Sequence, residues 1–263
     1  MGKDVADVEV GGRAGVTLEA LDLGYVVNGA TLVSGVNARF EPGTLTALMG
    51  PSGAGKSTLL GLLCGRGGGD VSGAVLVDGA VPPRAAPEQF RLLATYTPQD
   101  DALIAELTVG ETLHHKALLS LPAGAAPAAC ARVLASLGLD GKRDVVVGGP
   151  DKPSLSGGQK KRLSVAMDLL GDRPVMIIDE PTTGLDAAAT LLVAKIITSL
   201  SAVERRTVIC TIHQPPWAIV ETFHRLVVVA GGRPVYGGAP AGLKPFLEGR
   251  GRACPPLENP ADF

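Results

Sequence analysis

Short apolar stretches of strand character alternate along this chain with longer stretches of helical character, and glycines or prolines separate most of them. That order favours a parallel β-sheet covered by helices. Residues 16–27 and 31–40 read as strands of an N-terminal antiparallel portion. Residues 44–49 form a short apolar strand that runs straight into a glycine loop, and 56–64 then read as a helix. The glycine-rich stretch 65–73 reads as a flexible turn before a strand over 74–77. From 108 to about 141 the character is helical. Thr108-Val-Gly-Glu111 has the form of a capping box, in which a threonine and a glutamate satisfy free backbone N–H groups at a helix start. An alanine-rich helix is expected over 127–137. Further along, 175–178 reads as a buried strand, 187–200 as a helix and 207–212 as another strand. No internal repeat is evident, so the expected fold is one α/β unit with a mainly parallel sheet.

A length of 263 residues suits one large α/β domain, or at most two small ones. Charged residues make up 19% and apolar ones 46%, a globular balance that excludes an intrinsically disordered chain. The net charge of −2 gives no general attraction to nucleic acid or anionic lipid. Cys64, Cys130, Cys210 and Cys254 are scattered without metal-ligand spacing and read as reduced, mostly buried thiols. No stretch approaches the roughly 18 apolar residues that would cross a bilayer. Residues 1–15, too polar for a secretory signal, read as a flexible N-terminal segment. The chain itself is therefore expected to be soluble.

The chemistry begins at Gly50-Pro51-Ser52-Gly53-Ala54-Gly55-Lys56-Ser57, followed by Thr58. Glycines at the first and sixth positions, with Lys-Ser after them and a strand before, make a phosphate-binding P-loop. The glycines let backbone N–H groups curl around phosphates, and the helix start adds partial positive charge. Lys56 would reach the β and γ phosphates, and Ser57 would ligate Mg²⁺. The plain alternative is a glycine-rich turn in a glycine-rich chain. Residue frequencies make a chance match on the order of 0.02 per chain, so the functional reading prevails.

Pro174-Val-Met-Ile-Ile-Asp179-Glu180 is an apolar strand ending in two acids. At such a strand end one carboxylate, Asp179, suits Mg²⁺, and Glu180 can orient or deprotonate an attacking water. Acids also follow buried strands for purely structural reasons, and by themselves the two residues fit either reading. The continuation Pro181-Thr-Thr-Gly-Leu-Asp186 separates them, through a resemblance.

Leu155-Ser-Gly-Gly-Gln-Lys-Lys-Arg162, about a hundred residues after the P-loop, resembles the signature of ATP-binding-cassette (ABC) ATPases, and 181–186 looks like the loop that joins their catalytic strand to the dimer contact. The resemblance implies a P-loop NTPase core with an N-terminal antiparallel β portion and an inserted α-helical subdomain at about 100–170. It also implies ATP and Mg²⁺ as cofactors. On that likeness Gln99 corresponds to the glutamine that touches Mg²⁺ and the attacking water, and His213 to the switch histidine at the γ-phosphate. Ser156, Gly157, Gly158 and Gln159 correspond to the element that meets the nucleotide of a second cassette, and Asp186 to the dimer-side contact. Tyr25 reads equally as an adenine-stacking residue and as an ordinary strand tyrosine.

The strings Tyr96-Thr-Pro-Gln-Asp-Asp101, Leu107-Thr-Val-Gly-Glu-Thr-Leu113, Ile212-His-Gln-Pro-Pro216 and Asn259-Pro-Ala-Asp-Phe263 are similar to white/brown-type, subfamily G half-transporters. Gln159-Lys-Lys-Arg162 departs from the Glu-Arg-Lys-Arg usual there, and Thr183 replaces a common serine. The likeness implies that residues 16–263 are the cassette of an ABC transporter. Its partners would be a second cassette, identical or paralogous, and a transmembrane domain following residue 263, with the cassette on the cytoplasmic face of a membrane. The competing expectation is a soluble ABC ATPase attached to no transporter.

Overall fold

The computed structural model describes residues 15–80, 93–148, 154–252 and 254. Residues 1–14 of the expected N-terminal segment, and the string 259–263, lie outside the described residues.

Two antiparallel strands come first, β1 (Leu18–Val27) and β2 (Ala30–Phe40). The buried strand β3 (Leu45–Met49) leads to helix α1 (Lys56–Leu63), and β4 (Asp70–Val77) returns beside β1. Then follow β5 (Ala94–Thr97) and helices α2 (Val109–Ser120), α3 (Ala126–Ser136) and α4 (Gly157–Leu169). The chain continues through β6 (Val175–Ile178), α5 (Ala187–Val203), β7 (Thr207–Thr211), α6 (Trp217–Val220), β8 (Arg225–Ala230), β9 (Arg233–Gly238) and α7 (Leu243–Glu248).

Among the described residues the strands form two sheets. The smaller is antiparallel in the order β2-β1-β4; the larger has the order β5-β6-β7-β3-β8-β9. The larger sheet is parallel from β5 to β8, and β9 closes one edge antiparallel to β8. The expectation of a mainly parallel sheet with an antiparallel N-terminal portion holds.

Strands covered on both faces explain the continuous apolar runs, because successive side chains point to opposite sides and both sides are buried. In β6, Met176 and Ile178 join a core with Leu45, Leu113, Val133, Leu163 and Ile197, contributed by β3 and helices α2 to α5. Val175 and Ile177 face the other core, with Leu59 and Leu63 of α1 and with Leu23, Val33 and Phe40 of the smaller sheet. Cys64, Cys130 and Cys210 are buried free thiols and Cys254 is half-buried. Burial pushes the Cys64 and Cys210 thiols up to about 12.

One local outcome differs from expectation. The strand β4 begins at Asp70, four residues before the expected 74, and Gly73 lies inside it. A Cβ on Gly73 would stand 2.3 Å from the Asp22 carbonyl oxygen and 2.4 Å from that of Leu21. There β1 carries a register shift between Leu21 and Gly24, with Asp22 at φ 47°. Gly73 therefore admits a bulge on the neighbouring strand rather than marking a turn. As expected, the helical stretch from 108 holds two helices, α2 and α3, with Leu121 extended at the end of α2 at φ −119°, ψ 156°. The expected capping box is present at the start of α2, with the Thr108 side chain accepting from the Glu111 amide and the Glu111 carboxylate accepting from the Thr108 amide.

Candidate functional site: a phosphate-binding edge of the parallel sheet

Register builds the site. Thr97 pairs with Ile178, Ile178 with Cys210, and Thr211 with Leu48, so β5, β6, β7 and β3 end at one edge. Gln99, Asp179, Glu180, His213 and Gly50 all follow those ends within two residues, although they lie far apart in sequence. Loops outside the carboxyl ends of parallel strands are where open α/β sheets place ligands.

The loop 50–57 has the backbone that its glycines permit. Gly50, Gly53 and Gly55 adopt φ of 147°, 74° and 94°. A Cβ at Gly50 would sit 2.1 Å from the Val229 carbonyl oxygen, and one at Gly55 would sit 2.7 Å from that of Leu32. Helix α1 starts without a side-chain cap, which leaves its first amides free to meet an anion. Lys56, 6% exposed, donates to the carbonyls of Gly50 at 2.8 Å and Pro51 at 2.9 Å, bracing the loop from inside. Burial lowers its pKa, against the opposing pull of the Glu180 and Asp179 charges.

Asp179 is held by three hydroxyls. Ser57 donates to Oδ1 at 3.2 Å, Thr211 donates to the same oxygen, and Tyr96 donates to Oδ2 at 3.0 Å. Burial, followed by the Asp179 charge and that hydrogen bond, pushes the Tyr96 phenol up to about 12, so it remains a donor. The Arg66 guanidinium lies over its ring, 4.5 Å from the centroid.

Glu180 occupies the left-handed region at φ 46°, an uncommon backbone for a non-glycine residue that re-aims its carboxylate after a buried strand. Its amide donates to Thr211 Oγ1 at 2.8 Å. Its Oε2 accepts from Gln99 Nε2 at 2.8 Å and from Thr183 Oγ1 at 2.7 Å. The oxygens of Ser57 and Asp179, which meet at 3.2 Å, are hard donors that fit Mg²⁺, which takes few protein ligands and completes its shell with water and phosphate.

The chain thus brings Lys56, Ser57, Gln99, Asp179 and Glu180 together. His213 is exposed at the same edge, beside Gln214 at φ 40°. The Tyr25 hydroxyl accepts from the amides of Gly68 at 3.0 Å and Gly69 at 3.1 Å.

Residues 156–159 form a second helix start. Ser156 Oγ accepts from the Gln159 amide at 3.3 Å, and Gln159 Oε1 accepts from the Ser156 amide at 2.9 Å. A Cβ on Gly158 would stand 3.1 Å from Ala189 Cβ, and one on Gly157 would stand 3.4 Å from Leu185. The two glycines therefore let α4 begin against the start of α5, where Asp186 caps the Ala189 amide at 2.8 Å. Among the described residues no hydrogen bond joins 156–159 to 50–58.

Sequence reasoning did not single out Tyr96, Thr183 or Thr211 as site residues. The signal available was weak: a polar residue at the end of an apolar strand, as in Thr207-Val-Ile-Cys-Thr211.

A glycine loop feeding an uncapped helix, beside a strand-end acid on a parallel sheet, defines a P-loop nucleotide-binding domain. The ABC transporter family model matches residues 33–183. The chain belongs to that family, as an ATPase cassette. It is 39% identical over 237 residues to ABC transporter G family member 11 of Arabidopsis thaliana, covering 88% of this chain and 33% of that protein. It is 37% identical over 237 residues to the broad substrate specificity ATP-binding cassette transporter ABCG2 of Bos taurus, covering 88% and 35%. Among solved structures it is similar to cbiO1 from Clostridium perfringens, part of the ABC transporter complex cbiONQ, with TM-score 0.77 and 25% identity over 86% of this chain and 89% of that one. The chain spans about a third of the length of these curated relatives.

Proposed function

We propose that the chain is the ATP-hydrolysing motor of a G-type half-transporter of the exporter or lipid/sterol kind, and that it hydrolyses ATP at sites shared between two cassettes. One observation carries the shared-site reading. The chain carries two helix starts suited to phosphate, the loop 50–57 and the segment 156–159, and among the described residues no hydrogen bond joins them. Each suits a different nucleotide.

In this reading Lys56 and the amides at the start of α1 bind the β and γ phosphates, and Ser57 and Asp179 hold Mg²⁺, which when bound neutralises phosphate charge. Glu180, oriented by Gln99 and Thr183, takes the proton from the attacking water. His213 contacts the γ-phosphate. Ser156, Gly157, Gly158 and Gln159 complete the partner's site from across the interface, with Asp186 behind them.

Mixing tests this. A Lys56→Ala chain and a Ser156→Arg chain, each inactive alone, should regain activity together, because one of the two sites in the mixed dimer keeps both intact halves. For the free chain, activity per chain should also rise with concentration, since no tether supplies effective concentration. Activity per chain that stays flat over a thousandfold dilution, with no complementation, would count decisively against the shared site.

The transmembrane partner is proposed from the G-family relatives, of which this chain spans a third. None of the described helices is long and apolar enough to cross a membrane, so the spans would lie elsewhere in the protein. Sequencing the gene past Phe263 should reveal about six apolar stretches of roughly 20 residues. A stop codon directly after Phe263, with no membrane protein binding the chain, would favour the soluble ATPase.

A further inference from the structure

Among the buried cations outside the site is Lys161. Lys161 stands on α4, five residues beyond Ser156, with its side chain 4% exposed. Its ammonium donates to the Gln99 carbonyl oxygen at 2.9 Å and pairs with Asp101 Oδ1 at 2.9 Å. Ser164, one turn further along α4, donates to the same Asp101 oxygen at 2.8 Å. The segment 99–101 is thereby fastened to α4 at three points, and the Gln99 amide at its start reaches Glu180.

An ammonium is strongly hydrated, and burying one is unfavourable unless it is paired and hydrogen-bonded. A methionine would fill the space of the lysine stem but leave the Gln99 carbonyl and the Asp101 carboxylate without their cation. What the ammonium adds is direction: it fixes the carbonyl of Gln99, and so the point from which the Gln99 side chain extends.

We propose that Lys161 is a positioning residue for hydrolysis, which sets the Gln99 amide against Glu180 and ties it to the helix that begins with Ser156. The inference rests on the function proposed above and deepens it. Gln99 belongs to the chain's own nucleotide site, and Ser156 to the site it lends to a second subunit. One side chain therefore joins the two half-sites that a single chain contributes, so that a shift of Gln99 moves the lent helix start with it.

A double-mutant cycle on the 263-residue chain tests this, using Lys161→Met, Gln99→Ala and the pair. Lys161→Met should bind ATP within about twofold of wild type, because the loop 50–57 is untouched, while kcat falls roughly 10- to 100-fold through misplacement of Gln99. In the Gln99→Ala background the same substitution should change kcat by less than about twofold, since its target is gone. Losses that multiply, or an unchanged kcat in the single variant, would overturn the proposal and leave Lys161 as plain packing.

Hydrogen exchange supplies a readout independent of turnover. The amides of Gln99, Asp100 and Asp101 should exchange at least about tenfold faster in nucleotide-free Lys161→Met, with 50–58 unchanged. Equal rates there would reject the clamp. If Lys161→Met does not fold, Ser164→Ala loosens the same Asp101 anchor and should show the same pattern at smaller amplitude. A wild-type chain without ATPase activity, or a Lys56→Ala chain that keeps it, would fault the proposed function instead, and the exchange rates would still decide the clamp.

Discussion

Replacing Glu180 by glutamine is expected to leave ATP bound and hydrolysis nearly stopped. The Glu180 carboxylate is already arranged as an acceptor: Gln99 and Thr183 both donate to its Oε2. An amide has the same shape and can keep one oxygen turned to those donors, so the site should hold its geometry. What it loses is the ability to take a proton from water. General-base catalysis contributes roughly 10²- to 10⁴-fold, and a loss of that order is expected in single-turnover hydrolysis. Nucleotide affinity should change little, because the loop 50–57 and Asp179 are untouched. The ATP-bound dimer should then accumulate and be visible by size-exclusion chromatography with ATP. A Glu180→Gln chain that turns over at the wild-type rate would assign Glu180 a structural role and place the base elsewhere.

Substitution of Lys56 by alanine or methionine should abolish turnover. Lys56 is 6% exposed and braces the loop through the carbonyls of Gly50 and Pro51. Its charge lies next to Asp179 and Glu180, whose fields oppose the effect of burial on it. In a water-poor site a cation placed where phosphate charge develops is worth far more than in water. Loss of even one neutral donor in comparable sites costs roughly 10²- to 10³-fold. The cost here should be at least that, with weaker ATP binding besides. Methionine keeps the buried stem, so comparison of the two variants separates charge from packing. Both should keep a wild-type circular dichroism spectrum, and wild-type ATPase activity in either would sink the phosphate-loop assignment.

Local patterns were readable from the chain because their physics is local. The glycines of 50–55 permit the positive-φ backbone of a phosphate-binding loop, and Thr108 and Glu111 satisfy one another within a single helical turn. Asp179 and Glu180 were ambiguous by themselves. Only their continuation through Asp186, and the resemblance of 155–162, gave them a role. The reading of 65–73 as a turn failed at 70–73, since glycine there answers a bulge on another strand, which nothing in its neighbours in sequence reveals. The partners of the Tyr25 hydroxyl, Gly68 and Gly69, lie more than forty residues away and are likewise invisible in its sequence neighbours.

By itself the sequence determined that a phosphate-binding loop lies between a buried strand and a helix, that two acids end another buried strand, and that one α/β unit carries both. Each of those rests on interactions within a few residues. The tertiary structure alone decided that Tyr96, Ser57 and Thr211 converge on Asp179, that Gln99 and Thr183 share Glu180, and that Lys161 ties Gln99 to the helix of Ser156. These contacts depend on the register of four parallel strands and on where a helix lies over them. Register follows from the packing of both sheet faces at once, a property of the whole core that no single segment contains.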